Sequence, residues 1–298
     1  MRFIKNVATF FIVIIALGAA LYIQRVAILD WYVEATAPAL PESVGFDEVE
    51  EVEEVAALPV VDESLPTVDD VVVDEVAEDV IEEVVEDLIE EDVVVDELVE
   101  AEEFVLPLSI NLAVPFTSQA PHANWDYPYK ETCEEASVYM VHRYFEGEPE
   151  GMIDAQKADD AILKIVAFEE GLFGYYEDTT VEQTGIFAEM MYGFSSAVAI
   201  EDPTVDDIKT QLAEGRPVIV PAAGRMLGNP YFTAPGPIYH MLVVRGYTED
   251  DQFIVNDPGT KRGEAYLYDV DTLMSAIHDW NDGEEITDGG RVVLVLNP

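Results

Sequence analysis

From residue 105 to the C-terminus the sequence predicts an α+β domain, with helices first and strands after them. Three observations support that class. Helix start signals and helical periodicity fill the first half of this stretch, while short Val- and Ile-rich runs separated by Gly, Pro and Asp fill the second. About 190 residues is also one core's worth of chain, not two. Composition makes 105–298 one of three segments, after a charged and apolar start at 1–25 and an acidic low-complexity stretch at 26–104.

In chain order, an extended segment is expected over 114–117. The next helix begins at Cys133 and runs to about Phe145. Thr132 is placed to cap it and Glu135 to complete a capping box. Ala136, Met140 and Tyr144 recur at i+4, with Tyr139 at i+3, so the helix can bury one face. Further helices are expected over 159–170, after Thr179 with Glu182 as its box partner, and over 205–213 after Thr204 with Asp207 in the matching place. Gly215, Arg216 and Pro217 stop the last of these. Strands follow over 218–222, 240–246, 253–256, 266–268 and 292–296, with one helix over 270–280. No repeat period, phosphate loop, dinucleotide fingerprint or paired His or Cys metal pattern is present in the sequence.

The first 25 residues carry three basic residues, 26–129 none, and the remaining 11 begin at Lys130. Arg2 and Lys5 precede about 18 mostly apolar residues, 6–23, a length that just spans a bilayer. Those charges favour a cytoplasmic N-terminus and an extracytoplasmic domain. The reading is an uncleaved transmembrane signal anchor. The competing reading is a signal peptide cleaved near Gly18, Ala19 and Ala20. Residues 26–104 read as a solvated acidic spacer, with 26 acidic residues among positions 47–103. Val76, Val80, Val84 and Leu88 keep helical spacing within it, and a docking helix is the alternative. The spacer is expected to make no tertiary contact with the domain. From Val105 onward, 11 basic residues stand against 33 acidic ones, which makes nucleic acid an improbable partner.

Chemistry centres on the single cysteine. At the first position of a helix, free backbone N–H groups and the helix dipole favour a thiolate, and a thiolate is a nucleophile. A lone Cys reads equally as a small buried hydrophobe. The adjoining Glu134 and Glu135 act against the dipole and raise the thiol pKa. A thiol nucleophile needs a base, and the chain has four histidines. His142 lies nine residues along the Cys133 helix, on the opposite face and about 13 Å away. His122 and His278 read as surface residues. His240 opens a strand after a Gly/Pro-rich loop and is the candidate base. A hairpin through 247–251 would return Asp257 beside His240, where a carboxylate can orient the imidazole. Asp257, before Pro258 and Gly259, also reads as a turn residue.

Taken in order, Val114, Pro115 and Gln119, then Cys133, Glu134, Ser137, Met140, Val141, Tyr144 and Gly147, then the run His240 to Tyr247, then Val255 to Pro258, resemble the stand-alone relatives of the double-glycine leader peptidases, a papain-like cysteine peptidase family. The resemblance covers about residues 110–298. It implies a papain-like fold in which the helix bearing the nucleophile packs on an antiparallel sheet. It also implies Cys133 as nucleophile, His240 as general base, Asp257 as its orienter and Gln119 as a donor to the oxyanion. Relatives commonly have Gly where this chain has Thr132, and the fourteen-residue step from Gln119 to Cys133 is longer than theirs. The extra residues of that step, Trp125 and Tyr127 among them, either build a subsite or displace Gln119, and in the second case Asn124 is the substitute donor.

The function expected is a membrane-tethered extracytoplasmic thiol peptidase, acting on a peptide or protein substrate without metal or organic cofactor. The alternatives are a non-catalytic binding domain of the same fold, and a cell-wall amidase or transpeptidase using the same residues.

Overall fold

A computed structural model of the chain describes residues 39–49, 106–282 and 285–298. The expected anchor at 6–23, and the Val76 to Leu88 periodicity, lie outside the described residues. Among the described residues, no helix is long and apolar enough to cross a membrane. Ser43–Pro298 form one compact unit.

The unit is built from β1 (Ile110–Asn111), α1 (Cys133–Phe145), α2 (Ala155–Leu172), α3 (Val181–Tyr192), β2 (Ser196–Glu201), α4 (Val205–Ala213), β3 (Val218–Ala223), β4 (Tyr239–Tyr247), β5 (Gln252–Asn256), β6 (Tyr266–Asp269), α5 (Val270–Ala276) and β7 (Val292–Asn297). The strands form one antiparallel sheet in the order β2, β7, β3, β4, β5, β6, and β1 pairs with the far end of β4. The helices-then-strands order is observed. The edge strand β2 was not expected from the sequence, because its side chains are largely exposed and carry no buried apolar run.

Two start signals resolve differently from their local reading. The box at Thr132 and Glu135 does not form: the Thr132 hydroxyl donates to the carbonyls of Gln119 and Tyr129, and Glu135 is buried. The box of α3 is Thr180 with Gln183, one residue later than expected. Thr179 is instead buried, with its hydroxyl on Thr184 and its carbonyl accepting from Tyr239. The Thr204 and Asp207 box of α4 forms as expected.

At the centre of the sheet, β4 is buried throughout its length and carries α1 against it. A β-bulge interrupts its pairing with β5 between Val244 and Gly246, leaving Arg245 as the extra residue. The Arg245 side chain is buried, donates to the Val114 carbonyl and pairs with Glu150. Beyond the reach of β3, β1 takes over the pairing of β4 at Gly246 and Tyr247. Ile110 approaches so closely there that a Cβ on Gly246 would lie 2.2 Å from its carbonyl oxygen.

Residues 43–49, inside the stretch read as a spacer, pack on this edge. Val44 forms a parallel bridge to Leu112, donating to Asn111 and accepting from Ala113 at 2.8 Å each. Phe46 packs edge-on against Tyr144 and Phe145 at the end of α1, and Ser43 donates to Glu150. The expectation of a spacer free of tertiary contacts therefore fails for these residues. Phe46 and Val49 are apolar, and the acidic composition around them hid a short docking segment.

Candidate active site

Cys133 is the first residue of α1, reached through a 3-10 turn at Tyr129–Glu131. Gln119 holds this start in place. Its backbone N–H donates to Pro258, its carbonyl accepts from Thr132, and its side-chain amide donates to the Tyr129 carbonyl at 2.9 Å. Its Oε1 is buried without a partner. Gln119 thus joins the loop after Asp257 to the start of the Cys133 helix. Asn124 does not: it is exposed and caps the N–H of Asp126.

The β4–β5 hairpin forms as expected, with Val243 opposite Asn256 and Val244 opposite Val255. The chain then leaves the sheet, and Asp257 comes to lie beside His240. Nε2 of His240 stands 2.8 Å from Oδ1 of Asp257, both side chains being buried. The Gly259 N–H also donates to Oδ1, while Asn229 Nδ2 and the Tyr268 hydroxyl donate to Oδ2 at 3.0 and 2.7 Å. Burial opposes the charge of Asp257. His240 and these donors overcome it and hold its carboxyl below the usual range. The turn-only reading of Asp257 accounts for none of these bonds. Asn229 and Tyr268 carry no local signal in the sequence, because sheet pairing and the loop after β3 alone bring them to Asp257.

The sulfur has a different neighbour from the one expected. Cys133 Sγ makes a 3.0 Å hydrogen bond to Oε2 of Glu134, and no hydrogen bond joins it to His240. On the sheet side it meets the backbone N–H of Met241, the residue after His240, at a point of β4 that pairing with β5 does not reach. The sulfur is therefore placed at the backbone beside His240 in β4, with no bond to the imidazole. Burial pushes the thiol pKa well up, Glu134 and Glu135 add to the rise, and the Met241 N–H opposes it. Cys133 is 6% and His240 2% exposed. Phe232, from the loop after β3, stands edge-on to the imidazole with ring centroids 5.4 Å apart.

Beside this centre, Ser118 and Ala120 flank Gln119 and line a cavity of about 400 Å³ with Trp125, Met152 and Lys261. Trp125 thus borders a cavity, whereas the Tyr127 ring carries the Lys130 ammonium. The other histidines are elsewhere. His142 stacks on Tyr192, His278 bonds to the Gly289 carbonyl, and His122 is exposed. Among the described residues, no group of three or more His, Cys, Asp or Glu side chains is arranged to hold a metal ion.

No curated protein matches the chain. Among solved structures, a C39-like protein from Bacillus anthracis matches at 15% identity and TM-score 0.41, over 64% of this chain and 98% of that one. A prointerpain A fragment from Prevotella intermedia matches at 14% identity and TM-score 0.42, over 65% of this chain and 75% of that one. Likeness this weak says nothing about activity. The sequence profile of the Peptidase_C39 like family, however, matches residues 111–284, and so spans Gln119, Cys133, His240 and Asp257. By that match over more than half of its length, the chain belongs to the Peptidase_C39 like family.

Proposed function

We propose that this protein is a cysteine peptidase of the extracytoplasmic face, held to the membrane by residues 6–23, with Cys133 as nucleophile, His240 as base and Asp257 as orienter. The observation that carries the reading is the His240–Asp257 bond at 2.8 Å. With the Nε2 proton donated to Asp257, the free base nitrogen is Nδ1. Nδ1 takes the thiol proton, and Cys133 Sγ attacks the carbonyl carbon of the substrate. The oxyanion meets the Cys133 backbone N–H at the helix start, and the second N–H of the Gln119 amide. His240 returns its proton to the leaving amine, and water releases the acyl group. The cavity under Trp125 and Met152 would take an apolar side chain of the substrate.

Burial of the sulfur and its bond to Glu134 favour a second reading, a non-catalytic domain that binds peptides. Digestion of a peptide library by the full chain separates the two. The catalytic reading expects cleavage that disappears in Cys133→Ala while the melting temperature holds, and absence of cleavage by the wild type leaves the binding reading. Recovery of a soluble form starting near Leu21 would remove the membrane anchor from the proposal.

A further inference from the structure

Glu134 touches the reacting atom, and the mechanism above gives it no task. Its Oε2 bonds to the sulfur, its Oε1 is buried without a partner, and the side chain is 1% exposed. Behind it lie two more buried carboxyls, Glu135 on α1 and Glu169 on α2, which face each other, with the Thr179 side chain beside Glu169. Among the described residues, no Lys or Arg pairs with any of the three. Carboxyls removed from water without a cation keep their protons. Burial pushes Glu134 up to about 8 and Glu169 up to about 9, and raises Glu135 well above its usual value. The titratable groups around Glu134 are Cys133, Glu131 and Glu135 on or before α1, Glu169 on α2, Asp178 in the loop after α2, and Tyr239 on β4. None of them is a cation.

We propose that Glu134 is a second catalytic group, whose neutral carboxyl donates its O–H to Cys133 Sγ as His240 removes the thiol proton. The inference rests on the peptidase reading of Cys133 and His240. At rest the thiol donates to Oε2; as its proton passes to Nδ1 of His240 the bond reverses, and the carboxyl proton, which stays on Glu134, is turned to the sulfur. The O–H···S bond strengthens as charge builds on the sulfur. Once Glu134 ionises, the same oxygen confronts the sulfur as an anion and opposes the thiolate. Reactivity of this thiol should therefore fall with rising pH, where that of an ordinary thiol rises.

The test is the rate at which iodoacetamide alkylates Cys133, the chain's sole cysteine, in the full protein between about pH 6 and about pH 9.5. The wild-type rate should fall roughly tenfold between about pH 7 and about pH 9. Glu134→Gln presents a neutral donor at every pH and should show no fall across that range, while Glu134→Ala should be slow throughout. A wild-type rate that climbs steadily with pH, or a Gln variant with the wild-type fall, overturns the role of Glu134. His240→Ala without loss of rate at neutral pH would instead overturn the reading of His240 as base. If thermal melts show that Glu134→Gln is unfolded, the wild-type profile alone decides.

Discussion

Gly259 lies under the His240 ring so closely that a Cβ there would stand 3.0 Å from Nε2 and 2.8 Å from Cε1. The same residue donates its N–H to Asp257. A glycine is required at this point because the backbone itself approaches the imidazole, and a methyl group must push the ring or the Asp257 loop aside.

Gly259→Ala is therefore expected to lower kcat/KM by roughly one to two orders of magnitude, since a catalytic base displaced by about 1 Å costs that much. Its melting temperature should change little. Wild-type turnover in this variant would mean that the imidazole position does not matter.

Asp257→Asn should keep the site's shape while losing the charge that orients the imidazole, with kcat reduced by roughly 10³ to 10⁴. Asp257→Ala should also destabilise the fold by about 3–5 kcal/mol, because it strands the donors of Asn229, Tyr268 and Gly259 in a buried site. Tyr268→Phe removes one of those donors and should cost about 1–1.5 kcal/mol. Urea denaturation beside steady-state rates reads both effects, and equal stability of the Ala and wild-type proteins would contradict the network.

Chains that start at residue 39 and at residue 105 should differ in stability, because only the first keeps the Val44 bridge and the Phe46 contacts with Tyr144 and Phe145. Phe46→Ala in the longer chain should cost about 1–3 kcal/mol, part of the price of a fully buried Phe. Identical melting curves for the two lengths would show that the docked segment adds nothing.

Stability should rise on acidification from about pH 9 toward about pH 5, opposite to the trend that paired carboxylates give. Folded Glu134 and Glu169 hold protons up to about 8 and about 9, and Glu135 is raised as well. In the unfolded chain the same groups lose protons near 4.5, the ordinary value for a glutamate. Across that window the folded state binds more protons, so stability falls as pH rises. Glu135→Gln with Glu169→Gln should flatten the slope of melting temperature against pH. Below about pH 4 the depressed Asp257 acts in reverse, and stability is lost as its carboxylate protonates. An unchanged slope in the double variant would show that those two carboxyls are ionised in the fold.

Local chemistry made much of the site legible. Cys133 at a helix start and the hairpin that carries Asp257 back to His240 follow from apolar periodicity and turn residues in the sequence, which act over a few neighbours. Order along the chain sufficed to identify the helix and the β4–β5 pair. Three features were not legible. Thr132 makes no capping bond, and its hydroxyl instead ties the helix start to the carbonyl of Gln119, thirteen residues away, while Glu135 is buried. Asn229 and Tyr268 reach Asp257 only once β5, β6 and the loop after β3 are assembled. Residues 43–49 find their place on β1 across more than sixty residues of sequence.

By itself, the sequence determined the α+β class, the helix that presents Cys133, and the strand ends that carry His240 and Asp257, since each depends on contacts within one element or one hairpin. Tertiary structure alone decided what surrounds those atoms. Glu134 turned inward to the sulfur, and Glu135 turned inward to face Glu169, because α1 is packed between α2 and the sheet, where a carboxyl on the buried face has neither water nor a cation to turn to.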